Sequence, residues 1–219
     1  MNLSKSIAAA ALALPLLAHA GVVPSGIQSN ISTATTTGWG WTECHRSTAN
    51  TGVAINTILT ACKGDYLMMG YASNATTYAI LGAGAYDIVS RITQQGTGYA
   101  NLDNWSNGLN FYRTNGNGSW GFTTNANVYL QTADLFLNNG LQSHPSGREA
   151  VAAQGLSFHS NGANLTTGWG YNVTGAAYAA MSTGQRVFLT YTENTVPEPG
   201  VLLLLALGAA GFTAARRRA

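Results

Sequence analysis

Short apolar runs, separated by clusters of glycine and asparagine, fill the middle of this 219-residue chain. Apolar runs of about four to eight residues bounded by turn residues are typical of β-strands rather than of long helices. The clearest unit spans Leu109 to Thr123. There Asn115-Gly116 and Asn117-Gly118 tolerate the positive φ that tight hairpin turns need. The pattern predicts a β-hairpin at this point.

Further strands are predicted along the same part of the chain. They are expected at Asp65–Ser73, Tyr78–Leu81, Tyr86–Ile92, Val128–Gln131, Gly155–Ser160, Gly168–Asn172 and Gln185–Thr192. One short helix is predicted, with Asn56 as its N-cap and Gly64 as its stop. The pattern therefore predicts an all-β fold, an antiparallel β-sandwich-like single domain with one short helix.

The first twenty residues follow a different pattern. A polar start with Lys5 precedes an apolar run, and Ala18-His19-Ala20 is a small-x-small sequence. This order is the signature of a secretory signal peptide. We expect the Sec translocon to export the chain and signal peptidase to cut after Ala20, a site defined by Ala18 and Ala20.

The last residues form a second apolar segment outside the predicted domain. Residues 200–215 carry no charge and, as a helix, would span about 24 Å against a hydrocarbon core of about 30 Å. Pro197 and Pro199 prevent a helix from starting earlier. Arg216, Arg217 and Arg218 favour the cytoplasmic side of a membrane. The segment predicts a short membrane helix with the domain outside.

The tail also carries a specific motif. The succession Val196-Pro197-Glu198-Pro199-Gly200, a leucine-rich run and three arginines resembles the PEP-CTERM protein-sorting signal of exported proteins in Gram-negative bacteria. The resemblance implies transient retention in the inner membrane, cleavage near the motif by an exosortase, and transfer to the cell surface or extracellular matrix. It assigns recognition to Pro197, Glu198 and Pro199, and membrane anchoring and orientation to the leucines and to Arg216–Arg218.

These segments divide the chain into a signal peptide at 1–20, an exported domain at 21–195 and a sorting signal at 196–219. Six of the ten basic residues and seven of the eight acidic residues lie in the exported domain. The basic excess of the whole chain therefore belongs to its ends. A domain with nearly balanced charge offers no cationic face for nucleic acid, so we expect no nucleic-acid partner.

The chain contains two cysteines, Cys44 and Cys62. An exported protein folds in an oxidising compartment, where a disulfide between them is expected. Two free buried thiols are the alternative. No Cys/His spacing or Asp-rich calcium loop predicts a metal site, and no phosphate-binding loop predicts a cofactor.

Catalytic residues are not predicted. The domain contains His45, His144 and His159, but the sequence has no nucleophile elbow and no carboxylate pair distinguished by its spacing. Each histidine is more easily explained as a hydrogen-bonded or solvated side chain than as a catalyst. A hydrolase with an unrecognised site is the weakest interpretation of the sequence.

Aromatic residues are the stronger chemical signal. Five tryptophans accompany many Asn and Gln residues, and rings together with amides can bind sugars. Burial in a strand core is the simpler explanation for most of them. Trp105, in Asp-Asn-Trp-Ser-Asn-Gly, is the ring expected to be exposed and to bind glycan.

Two functions follow from these observations. The first is an exported, exosortase-processed structural or adhesive component of the envelope or exopolysaccharide matrix, without enzymatic activity. The second is a carbohydrate-binding module for secreted polysaccharide. The resemblance covers the two ends of the chain alone, and the domain between them resembles no characterised family.

Overall fold

The computed structural model describes residues 21–95, 98–101, 103–124, 127–130, 154–166, 170–173, 179–180 and 183–193. Gly21–Glu193 forms one compact unit. The predicted signal peptide and the predicted sorting signal lie outside the described residues. The three-segment division of the chain therefore stays a prediction.

Strands account for most of this unit. The described residues contain sixteen of them: β1 Gln28–Ser32, β2 Thr42–Thr48, β3 Val53–Ala54, β4 Tyr66–Ala72, β5 Thr77–Ala85, β6 Gln94–Gln95, β7 Gly98–Asn101, β8 Trp105–Ser106, β9 Leu109–Asn115, β10 Asn117–Thr123, β11 Asn127–Leu130, β12 Gly155–Asn161, β13 Asn164–Leu165, β14 Gly170–Asn172, β15 Ala179–Ala180 and β16 Gln185–Tyr191.

The strands form two large sheets. The five-stranded sheet has the order β1-β5-β4-β16-β2, and all its neighbours are antiparallel. The nine-stranded sheet follows the path β15-β14-β12-β10-β9-β6, which β13, β3 and β8 join at the sides. Its β6–β9 pair is parallel, and β7 and β11 form a separate antiparallel pair. The predicted all-β, antiparallel class is confirmed.

The main core lies between the two large sheets. The five-stranded sheet contributes Leu67, Met69 and Phe188, and the nine-stranded sheet contributes rings such as Phe111 and Trp120. A Cβ added to Gly82 on β5 would lie 2.7 Å from atoms of the facing leucine and phenylalanine side chains, so this position needs glycine for the close approach of the sheets. Side chains from both inner faces thus fill one sandwich core.

A second apolar cluster covers the outer face of the five-stranded sheet. It contains Trp41, Met68, Tyr78, Val187 and Leu189, among others. β4 and β16 therefore bury side chains on both faces, which explains why their sequences are nearly continuous apolar runs rather than alternating ones.

The start of the described chain helps to cover that outer face. Trp41 Nε1 donates a hydrogen bond to the Val22 carbonyl at 2.8 Å, and the Gly21 amide donates to the Tyr191 hydroxyl at 3.1 Å. A Cβ at Gly21 would overlap the Tyr191 ring. The first described residues and the last described strand are therefore in direct contact.

Three short helices connect the strands in the described part of the chain: α1 Thr33–Gly38, α2 Ile55–Ala61 and α3 Tyr86–Ser90. The prediction of one helix is wrong in number. α2 is the predicted helix, but its N-cap is Ala54 rather than Asn56. The helix starts early because β3 leads directly into it and the Ile55 amide bonds to the Ala163 carbonyl at 2.8 Å.

The predicted strand at Tyr86–Ile92 is wrong, because α3 occupies this position. Side chains of β9, of β10 and of the residue before β8 donate hydrogen bonds to carbonyls of this helix. Asn104 Nδ2 donates to the Ile88 carbonyl at 2.9 Å, Trp120 Nε1 to that of Val89 at 2.9 Å, and Arg113 Nη1 to that of Ser90 at 2.7 Å. Tertiary hydrogen bonds thus decide the conformation of a segment whose residues favour a strand.

The expected disulfide is present. Cys44 on edge strand β2 is bonded to Cys62 at the end of α2, with 5.1 Å between their Cα atoms. Cys62 is fully buried in the sandwich core. The bond therefore fixes the edge strand to the helix that packs beside it.

Replacing both cysteines by alanine lowers the free energy of unfolding by about 3 kcal/mol, because the bond closes a loop of eighteen residues in the unfolded chain. Urea denaturation of the oxidised protein and of the Cys44→Ala/Cys62→Ala variant measures the difference. Wild-type protein reduced with dithiothreitol is expected to match the double variant. Equal midpoints for the oxidised and reduced wild type would contradict the stabilising role.

Candidate functional site

A polar cleft of about 440 Å³ opens on the outer face of the five-stranded sheet, beside α1. We call it the α1 cleft. It is lined by hydroxyl, amide, carboxylate and guanidinium groups above an apolar floor: Thr33, Thr36, Thr37, Trp41, Glu43, Arg46, Ala75, Tyr78, Gln185 and Leu189. Its volume lies within the range of small-molecule binding sites, about 300 to 1,000 Å³.

A β-bulge in β2 creates the charged part of this cleft. The register with β16 shifts so that Phe188 pairs with His45, and Leu189 pairs with Glu43. Cys44 is thus the extra residue. A regular strand would place Glu43 and Arg46 on opposite faces, since side chains alternate. The bulge restores them to one face, and both point outward.

Glu43 and Arg46 form a two-point ion pair. Arg46 Nε donates to Glu43 Oε1 at 2.7 Å, and Arg46 Nη2 donates to Glu43 Oε2 at 2.6 Å. Parallel bonds of this kind are the strong form of a guanidinium–carboxylate contact. Both side chains are partly exposed, 21% for Arg46 and 31% for Glu43, so solvent reaches the pair.

Neighbouring strands hold each partner in place. The Tyr78 hydroxyl donates to Glu43 Oε2 at 3.0 Å, and Arg46 Nη1 donates to Gln185 Oε1 at 2.6 Å. The guanidinium also lies over the Tyr78 ring, 5.8 Å from its centroid. The hydrogen bond from Arg46 lowers the pKa of Glu43, burial opposes this, and the Tyr78 hydroxyl supports it. Glu43 is therefore ionised at neutral pH.

Threonines of α1 form the opposite wall. The helix begins at an N-cap, Ser32, whose hydroxyl accepts a hydrogen bond from the Thr35 amide at 3.1 Å. The hydroxyls of Thr36 and Thr37 each donate to the Thr33 carbonyl at 3.0 Å. Each of these oxygens keeps the capacity to accept a further hydrogen bond. Because Thr36 is buried and Thr37 is exposed, the Thr37 hydroxyl is the acceptor that solvent or a ligand can reach on this wall.

A second polar group lies on the inner face of the same edge. Arg186 is fully buried and donates to the carbonyls of Thr48, at 2.9 Å, Thr51 and Thr166, at 2.7 Å. Burial lowers its pKa to about 10. These bonds join the end of β2 and the turn that follows it to the residue after β13, so Arg186 connects the two large sheets.

The histidines show no arrangement of a hydrolase in the described part of the chain. His159 Nδ1 is 2.8 Å from the Thr166 hydroxyl, and His159 is half-buried. His45 lies 6.1 Å from the Phe188 ring, between centroids. His144 falls outside the described residues. Among the described residues no three His, Cys, Asp or Glu side chains are grouped as a metal site would need.

Of the residues predicted from sequence, Trp105 is the one that the structure places on the surface. It is 41% exposed, whereas Trp41 and Trp120 are buried. It lies on β8, and the turn into β9 uses Asn107 and Gly108 at positive φ. The structure does not bring Trp105 into the α1 cleft, whose lining residues are those named above.

The predicted processing and sorting residues lie outside the described residues. These are Ala18, Ala20, Pro197, Glu198, Pro199, Arg216, Arg217 and Arg218. The predicted membrane helix at 200–215 lies there too. In the part of the chain that the structure describes, every helix is too short to cross a bilayer.

The Glu43–Arg46 pair was not predicted from sequence. A glutamate and an arginine three residues apart in a strand are expected on opposite faces. The bulge brings them together, and no residue type in Thr-Glu-Cys-His-Arg predicts a bulge. The sequences of β5 and β16 likewise give no signal that Tyr78 and Gln185 bond to this ion pair.

Acid is expected to weaken the fold in two steps. Burial lowers the pKa of His45 and of His159 below the usual 6.5, and Arg186 adds to the effect at His45. As the pH falls, these histidines are therefore protonated in the unfolded chain before they are protonated in the folded one. The free energy of unfolding thus falls as the pH drops below about 6.5. The lowered pKa of Glu43 gives a further loss below about pH 4.5.

Urea denaturation between pH 7.5 and pH 3.5 measures both steps, because these limits lie about a unit above the usual histidine pKa of 6.5 and about a unit below the usual glutamate pKa of 4.5. The His45→Gln/His159→Gln variant is expected to lose the first step and keep the second, while Glu43→Gln keeps the first. A first step of unchanged size in the double histidine variant would show that other groups cause it.

Comparison with known proteins identifies one part of the chain. No curated protein and no solved structure matches it. The family model of the PEP-CTERM protein-sorting motif matches residues 195–218. That match agrees with the motif, apolar run and arginine cluster expected from the sequence. The chain therefore carries a PEP-CTERM protein-sorting signal, the mark of an exported protein that an exosortase processes for the cell surface or the extracellular space.

Proposed function

We propose that the protein is a non-enzymatic structural or adhesive component of the bacterial envelope or exopolysaccharide matrix. The Sec translocon exports it, signal peptidase removes residues 1–20, and the tail holds it briefly in the inner membrane. An exosortase then cuts near Pro197-Glu198-Pro199. The match of residues 195–218 to the PEP-CTERM motif is the observation that carries this proposal.

The described domain suits such a destination. The Cys44–Cys62 disulfide requires an oxidising compartment to form. Charged residues make up 8% of the chain, and the two sheets bury most large side chains. A disulfide-bonded sandwich that exposes mainly Thr, Asn and Gly is stable outside the cell and presents many hydrogen-bonding groups to a hydrated matrix.

Carbohydrate binding is the second candidate function. The exposed indole of Trp105 supports it, because a flat ring can stack on the apolar face of a pyranose. This function is compatible with the first, since a matrix protein can be retained through the polysaccharide itself.

Processing is tested by the intact mass of the protein from cells with and without the exosortase. With the enzyme, the mass is expected to lack residues 1–20 and the segment after the Pro-Glu-Pro motif. Without it, the tail remains and the protein fractionates with the inner membrane. Protein in the extracellular fraction that still contains Arg216–Arg218 would contradict the proposed route.

The orientation role of the arginines has its own test. Changing Arg216, Arg217 and Arg218 to Asp is expected to reduce exosortase cleavage at least tenfold, because acidic residues do not favour the cytoplasmic side. Changing them to Lys is the matched control and is expected to preserve cleavage. Equal cleavage of the Asp variant would remove the orientation role.

Carbohydrate binding is tested on a glycan array with the processed protein. Selective binding to particular polysaccharides is expected, and Trp105→Ala is expected to weaken it several-fold, because the variant loses the ring that stacks on the sugar. Uniform signal across all glycans would leave the structural or adhesive role alone.

A further inference from the structure

We propose that the α1 cleft is a binding site for a neutral, polyhydroxylated ligand, a hexopyranose unit of a polysaccharide, held by Glu43, Arg46 and Gln185. This inference rests on the second candidate function, carbohydrate binding. It gives that function a site separate from Trp105, in a part of the surface that the sequence did not indicate.

Unused hydrogen-bonding capacity is the first support. Arg46 has five N–H groups and donates three of them, to Glu43 twice and to Gln185 once. Glu43 Oε1 accepts one bond and can accept another. Gln185 uses its amide oxygen, and its Nε2 has no acceptor among the described residues. The cleft therefore places free donors beside a free acceptor.

This pattern suits vicinal hydroxyl groups. Each sugar hydroxyl donates one hydrogen bond and accepts up to two, so neighbouring hydroxyls can donate to Glu43 while accepting from Arg46 and Gln185. Thr37, the exposed threonine of α1, lies on the opposite wall of the same cleft, and its hydroxyl can bond the far side of the ring. A monofunctional ligand would leave most of these groups unpaired.

The charge of the cleft gives no net attraction to a strongly ionic ligand. Glu43 and Arg46 neutralise one another through two short hydrogen bonds. The net charge of the pair is therefore zero, and it attracts neither an anion nor a cation. An anion would be attracted by Arg46 but repelled by Glu43, and a cation the reverse, so the two contributions largely cancel. A neutral ligand meets neither penalty and still gains charge-assisted hydrogen bonds.

The site is held rigid before any ligand arrives. Tyr78 fixes the carboxylate and Gln185 fixes the guanidinium, from two other strands of the sheet. Trp41 and Leu189 are buried beneath them as an apolar floor. Groups already held in position lose little conformational entropy on binding.

The test is a titration of the processed exported protein, in which ¹H–¹⁵N NMR spectra report binding. The ligands are the methyl glycosides of glucose, galactose and mannose, with glucuronic acid as the charged member. Saturable shifts at residues of the α1 cleft are expected for at least one neutral glycoside. Glucuronic acid is expected to bind at least tenfold more weakly than the best neutral sugar.

Two variants test the residues. Glu43→Gln preserves size but removes the carboxylate, and Gln185→Leu removes the amide, so each is expected to weaken binding at least tenfold. Asp87→Asn is the matched control. It removes the carboxylate from the exposed Arg91–Asp87 pair, whose residues do not line the cleft, and is expected to leave the affinity for the sugar unchanged. Thermal unfolding of each variant shows whether it is folded. If Glu43→Gln does not fold, the binding measured with Gln185→Leu decides whether the cleft is the site.

The outcomes separate this inference from the functions on which it rests. Binding that Trp105→Ala abolishes, and that both cleft variants retain, overturns the cleft site but leaves carbohydrate binding intact. Preference for glucuronic acid overturns the neutral ligand class. Absence of binding to any sugar overturns both the site and the second candidate function, while the mass measurements on processing decide the first function independently.

Discussion

Burial of both faces of the five-stranded sheet is the constraint from which the rest of the structure follows. Leu67, Met69 and Phe188 face the other sheet, while Met68 and Val187 face outward and are just as fully buried. Sheet packing can cover only the first set. The N-terminal segment and α1 must therefore lie across the outer face. Because they cover it incompletely, a cleft remains between α1 and the sheet, with polar walls and an apolar floor.

The bulge at Cys44 allows one edge strand to serve both faces. Cys44 and His45 turn inward, where the cysteine joins Cys62, and Glu43 and Arg46 turn outward, where they meet Tyr78. A regular strand could not supply a core disulfide and an outward ion pair from four consecutive residues. The same local irregularity thus contributes to stability on one side and to the chemistry of the cleft on the other.

Sequence reasoning succeeded where a signal is local. The Asn-Gly hairpin, the apolar runs that became β4, β12 and β16, the disulfide and the sorting motif all reside in short stretches with distinctive residue types. Sequence reasoning failed where groups distant in sequence determine the local conformation. α3 is a helix whose carbonyls accept three tertiary hydrogen bonds. α1 consists largely of threonine, a poor helix former, and depends on the Ser32 cap and on hydroxyl bonds to Thr33. The α1 cleft required a bulge and two further strands, none of which leaves a mark in the local pattern.

The contact between Gly21 and Tyr191 has a topological consequence. Because the first described residue touches the last described strand, the backbone of the sandwich nearly closes into a ring. A short peptide could join these points, and new termini could then be opened at an exposed turn such as the one at residues 73–75, between β4 and β5. Circular permutation of this kind is a practical way to display the domain from a different side without altering either sheet.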